Sequence, residues 1–196
     1  MGSCVSDLAS RRRTIRKFSS DPVDMDKVLP ALEAACQAPS GANRQPWRFV
    51  IVTGSDVKRR IREACERGER AFYAGVGGEL GTWLLARGLS WRKPFLEEAP
   101  LLALVLSDVE APYSKESVWL AMGYALLALE ELSLSTVTYT PSDATGVLRA
   151  VDAPEGFRLE ATLPIGLSAD EKPREPRRAL HEVAFLNSWG HALETR

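Results

Sequence analysis

Apolar residues recur along the chain in two rhythms. "DPVDMDKVLPALEAACQ" (21–37) opens with Asp and Pro and places Val28, Leu29, Leu32, Ala35 and Cys36 at helical spacing, which predicts a helix buried on that face. Pro30 falls near its first turn, where proline is tolerated. "SDVKRRIREACERG" (55–68) predicts a second helix, with Ser55 as N-cap and Gly68 as its stop. "SKESVWLAMGYALLALEELS" (114–133) is apolar nearly all round and predicts a central buried helix. Four short apolar runs predict strands: "WRFVIVTG", ended by Gly54; "EAPLLALVLSD"; "LSTVTYT", stopped by Pro141; and "RLEATLPIG". Strands and helices alternate loosely, so the expectation is one α+β domain of three layers over residues 1–196.

Two segments fit neither rhythm. Residues 69–98 lie between two strands that do not need them and combine Gly75, Gly77 and Gly78 with aromatic and charged residues, the pattern of a lid or binding insertion. Residues 170–196 are rich in charge and proline but end with Val183, Phe185, Leu186 and Trp189. A tail with such side chains must dock somewhere, and if its own domain has no room, a partner subunit is the natural place.

Composition narrows the partners. The 196 residues are 45% hydrophobic and 26% charged, with a net charge of −1, so no global field attracts nucleic acid or an anionic membrane. No apolar run approaches the roughly 20 residues of a membrane span, and the first residues lack a signal-peptide pattern; the expected location is cytoplasmic. Gly2 and Ser6 match a myristoylation pattern, with Cys4 beside them. Cys4, Cys36 and Cys65 are too scattered for a disulfide framework or zinc site, and Cys36 is expected as a small buried hydrophobe. His181 and His191 form no metal-binding pair, so no metal is expected.

Four stretches carry candidate chemistry. "RRRTIRKF" gathers Arg11, Arg12, Arg13, Arg16 and Lys17 around Thr14; it reads as a solvated helix face or as an anion site, since guanidinium forks hold phosphate bidentately. Arg177 and Arg178 form a second basic pair far away in sequence. "TVTYTP" places Thr136, Thr138 and Thr140 on one face of a strand, either as β-formers or as a row of hydroxyls lining a pocket. Glu69 and Tyr73 are i, i+4 neighbours if that segment is helical; with Lys93 they read either as an ordinary surface or as a set with the chemistry to hold a zwitterion. "APSGANRQPWRFVIV" is a bend stiffened by two prolines, with Gly41 allowing a close backbone approach and N–H groups aimed outward.

Taken in order, these segments resemble the FMN-dependent nitroreductase superfamily from end to end. "RRTIRKF" looks like its opening Arg-Arg-Ser-x-Arg motif, "APSGANRQPWRFVIV" its Ala-Pro-Ser-x-x-Asn-x-Gln-Pro-Trp motif, and "LPIG" with "RRALHEVAFLNSWG" its last strand and phosphate-contacting tail. Ser-Gly-Ala after Pro39, "TVTYTP", and Glu69, Tyr73 and Lys93 are similar to the iodotyrosine deiodinase branch. The resemblance implies a nitroreductase-like fold with a mostly antiparallel sheet flanked by helices. It also implies a homodimer with exchanged C-terminal tails and two FMN sites at the interface. Arg12, Arg13, Thr14 and Arg177 would hold the FMN phosphate, and Arg16 would sit by the pyrimidine edge. Pro39, Ser40, Gly41 and Thr138 would contact the flavin, and Thr140 would bond its N5. The Ala42 N–H would meet a substrate phenolate, while Glu69, Tyr73 and Lys93 close over the amino-acid end. The implied activity is reductive dehalogenation of halotyrosine in one-electron steps, fed by NAD(P)H or a reductase. Two other functions share the core motifs: a general NAD(P)H-dependent nitroreductase, and a non-catalytic binder of flavin or aromatic amino acids. Against the mammalian pattern, Tyr139 stands in place of a threonine, and Pro94 disfavours helix at Lys93.

Overall fold

The computed structural model describes residues 5–171 and 173–193; Gly2 and Cys4 of the lipidation pattern lie outside them. In chain order the elements are α1 (Val5–Arg11), α2 (Met25–Cys36), a 3-10 turn (Gly41–Asn43), β1 (Trp47–Val52), α3 (Ser55–Gly75), α4 (Gly78–Ala86), α5 (Phe95–Glu98), β2 (Leu101–Asp108), α6 (Ser114–Glu131), β3 (Ser135–Thr136), α7 (Ala144–Ala150), β4 (Phe157–Gly166) and α8 (Leu180–Val183). The sheet runs β1-β2-β4-β3 with every neighbouring pair antiparallel.

β2 explains why the sheet is covered on both sides. Its side chains alternate between faces. Leu101, Ala103 and Val105 enter the cluster formed with α2 and α6, while Leu102, Leu104 and Leu106 enter the cluster formed with α3, α5 and α7. Each face is therefore apolar, and burying both requires a helical layer above and below, giving the three-layer α+β arrangement expected from the sequence.

Several expectations shift at the level of single residues. α2 begins at Met25, which places Pro30 inside the helix, and its buried face is Val28, Ala31 and Ala35. Leu29 is exposed, and so is Cys36; the buried cysteine is Cys65. Ser55 is the first residue of α3 and Gly54 its N-cap. Gly68 does not stop α3, which continues to Gly75. A Cβ at Gly68 would stand 2.8 Å from the backbone nitrogen of Asp143, so glycine is required there by the close approach of the α7 N-terminus.

α6 is buried on one face only. Val118, Ala121, Met122, Ala125 and Leu129 pack inward, whereas Trp119, Leu120 and Tyr124 are 39%, 50% and 43% exposed. A single sheet covers one side of a helix; the second apolar side of α6 faces away from it.

The predicted strand 134–140 forms only in part. Ser135 pairs with Gly166 and Thr136 with Ile165, and in the same register Tyr139 bridges Thr162. The rung between them falls opposite Pro164, which has no N–H to donate, so the ladder breaks and resumes at Tyr139. Thr136 is buried, Thr138 half-buried and Thr140 exposed, so the three hydroxyls do not share one environment.

Candidate functional site

The basic segment is not a helix face. α1 ends at Arg11, and Thr14 then forms a parallel bridge to Thr136 while the Ile15 N–H donates to the Thr136 carbonyl at 3.0 Å. Ile15 is buried and anchors this extended run, which leaves Arg12, Arg13 and Arg16 half-buried. A cavity of about 390 Å³ brings together Arg12, Arg13, Thr14 and Arg16 with Arg174 and Arg177 of the tail. Sequence distance is thus closed: Arg177 meets the amino-terminal cluster. The Arg12 guanidinium is held below its ordinary pKa, first by burial and then by Arg177 and Arg174, with Glu130 acting in the opposite direction.

Arg16 is a wall shared with a larger cavity of about 1080 Å³, lined also by Glu69, Tyr73, Lys93, Tyr139 and Thr140. α3 carries Glu69 and Tyr73 one turn apart on the same side. The chain then breaks at Val76–Gly77, crosses α4 and returns through residues 87–94 to deliver Lys93. Lys93 is not helical, as Pro94 predicts, and Pro94 caps α5. The Lys93 backbone N–H donates to Glu66 at 2.8 Å, and Arg62 bonds both Glu66 and Glu97, which ties this return segment to α3.

Glu69 and Lys93 are 6% and 7% exposed and pair directly, Nζ to Oε2 at 3.2 Å. Burial lowers the Lys93 pKa, and Glu69 opposes that shift. The Lys93 ammonium also stands 4.7 Å from the centre of the Tyr73 ring. Burial, then Glu69, raise the Tyr73 phenol, with Arg16 opposing, so Tyr73 remains a neutral donor. Glu69 Oε1 accepts from the hydroxyls of Tyr139 and Ser142, each at 3.0 Å, and from the Ser142 N–H at 3.4 Å.

The proline-flanked bend lies elsewhere on the chain. Pro39, Ser40, Gly41 and Ala42 line neither cavity, and Thr138 does not either. Gly41 packs against the start of α6: its N–H donates to Ser117 Oγ at 3.2 Å, and a Cβ would stand 2.7 Å from the Pro112 carbonyl oxygen. Ala42 holds φ +49°, ψ +28°. The N–H groups of Gly41, Asn43, Arg44 and Gln45 all have partners, whereas that of exposed Ala42 meets none among the described residues.

Sequence reasoning missed Asp170, Ser142, Trp83, Arg87 and Arg174. Trp83 and Arg87, from α4 and just beyond it, line both cavities, and Arg87 reaches Glu175 of the tail at 3.3 Å. Asp170 is buried beside Arg16 and contributes to its electrostatics after burial and Tyr73. Their positions depend on long-range contacts that no local spacing announces.

This fold, with a basic cavity opening beside a half-polar one, defines a class. The nitroreductase family model matches residues 9–167, and the chain belongs to that family. Within it, the chain is similar to the iodotyrosine deiodinase of Thermotoga neapolitana, 50% identical over 171 residues that cover 87% of this chain and 92% of that protein. It is 33% identical to the iodotyrosine deiodinase of Nematostella vectensis, covering 90% of this chain and 72% of the other. A crystal structure of oxidized iodotyrosine deiodinase bound to FMN and 3-iodo-L-tyrosine superposes with a TM-score of 0.91 at 47% identity, covering 95% of this chain and all (100%) of that one. No helix among the described residues is long and apolar enough to cross a membrane.

Proposed function

We propose that this protein is an FMN-dependent oxidoreductase that removes halide reductively from halotyrosine. The observation that carries the reading is the convergence of Glu69, Tyr73 and Lys93 in one cavity whose wall, Arg16, is shared with the cavity of Arg12, Arg13, Thr14 and Arg177. The donor set fits FMN. Like charges crowd at Arg12, Arg174 and Arg177, an arrangement that a phosphate dianion relieves. Arg12, Arg13, Thr14 and Arg177 hold that phosphate, Arg16 places positive charge by the flavin ring, and Thr140 offers it a hydroxyl. When bound, FMN supplies the electrons that let halide leave and hydrogen take its place on the ring.

The chain's own residues do the recognition. Glu69 receives the substrate ammonium, and Lys93 with Tyr73 receives its carboxylate. The Ala42 N–H donates to the phenolate, and Pro39, Ser40 and Gly41 border the flavin. On this reading a second copy supplies the bend at Ala42, which lines neither cavity of its own chain. The exposed face of α6 and the apolar tail support that homodimer: Leu180, Val183 and Leu186 are exposed, and Trp189 is 90% exposed. An external donor, NAD(P)H or a reductase, renews the electrons.

The test uses the flavin-loaded protein. Chemically reduced enzyme should convert 3-iodotyrosine to tyrosine and iodide. Lys93→Ala should weaken 3-iodotyrosine binding by about tenfold or more, as expected for truncating one member of a buried charge pair. 2-Iodophenol, which lacks the amino-acid end, should bind Lys93→Ala as it binds wild type. Equal losses for both ligands, or no iodide from reduced enzyme, would remove this reading.

A further inference from the structure

Resting on that reading, we infer that Tyr139 and Ser142 are positioning residues that build the substrate clamp before substrate arrives. Glu69 has two carboxylate oxygens with separate duties. Oε1 is occupied by the Tyr139 hydroxyl, the Ser142 hydroxyl and, more distantly, the Ser142 N–H. Oε2 faces the Lys93 ammonium. Three donors on one oxygen fix the rotation of the carboxylate, so the oxygen left for an incoming ammonium is the one beside Lys93.

Tyr139 suits this task for reasons of packing and of acidity. Its backbone is pinned to β4 by two bonds, since its N–H donates to the Thr162 carbonyl at 3.1 Å and its carbonyl accepts the Thr162 N–H at 2.7 Å. Its ring meets Phe95 edge-on, with centroids 5.6 Å apart. Burial first, and then Cys65 and Glu69, push its phenol far above the usual tyrosine value, so the hydroxyl keeps its proton and remains a donor to the carboxylate. Ser142 is placed just ahead of α7, whose N-cap Asp143 accepts the Gly146 N–H. Both donors therefore stand on backbone that does not depend on α4 or on the return segment.

The consequence is a half-finished charge ring. Glu69 and Lys93 already alternate in sign, and the ammonium and carboxylate of an amino acid complete the alternation without either side chain having to be found or turned. A substrate lacking the amino-acid end gains nothing from it.

The experiment compares the flavin-loaded wild type with Tyr139→Phe and Ser142→Ala. Flavin content is measured for each, and dissociation constants for 3-iodotyrosine and 2-iodophenol are read from flavin fluorescence. Phe keeps the ring packing, and Ala keeps the backbone N–H. Each variant should retain full flavin content and lose about tenfold in 3-iodotyrosine affinity, the loss expected for one hydrogen bond to a charged group. The affinity for 2-iodophenol should stay within about twofold, inside the spread of ordinary surface changes. Equal weakening of both ligands would overturn the inference by making Tyr139 and Ser142 general props of the cavity. No weakening of either ligand would overturn it by making the hydroxyls idle. A wild type that does not prefer 3-iodotyrosine over 2-iodophenol would remove the functional reading itself, and the clamp with it.

Discussion

At Ala42 a non-glycine residue sits in left-handed space, and that fact changes how its backbone should be probed. A proline there would remove the N–H, but its ring locks φ near −65°, far from the observed +49°, so the bend would be lost together with the donor. Glycine separates the two effects. Ala42→Gly should raise stability to chemical denaturation by about 1 kcal/mol, because Cβ strain is relieved, while 2-iodophenol affinity stays unchanged. Cys65 gives a second residue-level expectation. Burial pushes its thiol up from 9.0 to about 12. The folded pKa lies above the unfolded one, so the associated stability is whole below pH 9 and is lost as pH rises toward about 12. Between pH 9 and 10, below the range where the raised Tyr73 and Tyr139 phenols add to it, the unfolding free energy should fall on the order of 1 kcal/mol per pH unit, and Cys65→Ala should flatten that slope. Glu69 and Tyr73 are legible as neighbours because one helical turn separates them, whereas Lys93 joins them in the sequence only through the resemblance, since a helix break and α4 lie between. Tyr139 and Ser142 are not legible, because the carboxylate they hold lies about seventy residues earlier in the chain.

At the scale of elements, glycine and proline look like punctuation in the sequence, and the structure shows them as fitting parts. Gly68 lies within α3 where the helix presses on Asp143. Helix propensity alone favours Gly68→Ala by about 1 kcal/mol. The added Cβ would meet a backbone nitrogen at 2.8 Å, which cannot move aside without displacing the start of α7. Gly68→Ala should therefore destabilise by about 1–3 kcal/mol in urea denaturation, as overpacking does, and a stabilised variant would show that α7 shifts freely. Pro164 acts across the sheet: it deletes one rung opposite Val137, so the run 134–140 reads as a continuous strand in sequence but pairs in two pieces. Hydrophobic rhythm reveals a strand. It does not reveal which residue lies opposite a proline on another strand.

For the whole molecule, the three layers were legible because the apolar run of β2 can only be satisfied by helices on both faces. The apolar pattern of 114–133 predicts a central buried helix, and the single chain covers one face of it. Apolar side chains announce that they will be buried without saying by which copy. The proposed dimer makes this a single observable event. The protein should sediment at roughly twice 21.6 kDa, and Leu120→Asp on the exposed face of α6 should shift it toward the monomer and release flavin in the same step. A monomeric variant that keeps its flavin would separate the cofactor site from the interface.

The crowding of Arg12, Arg174 and Arg177 has a practical side. A chain stripped of cofactor would behave there as a small anion exchanger, taking up whichever multivalent anion the solution offers. Phosphate and sulfate buffers would then calm the repulsion and protect the empty protein, while occupying the place proposed for the flavin phosphate. The same salt would prolong shelf life and slow reconstitution, so a chloride buffer is the one in which cofactor loading can be judged fairly.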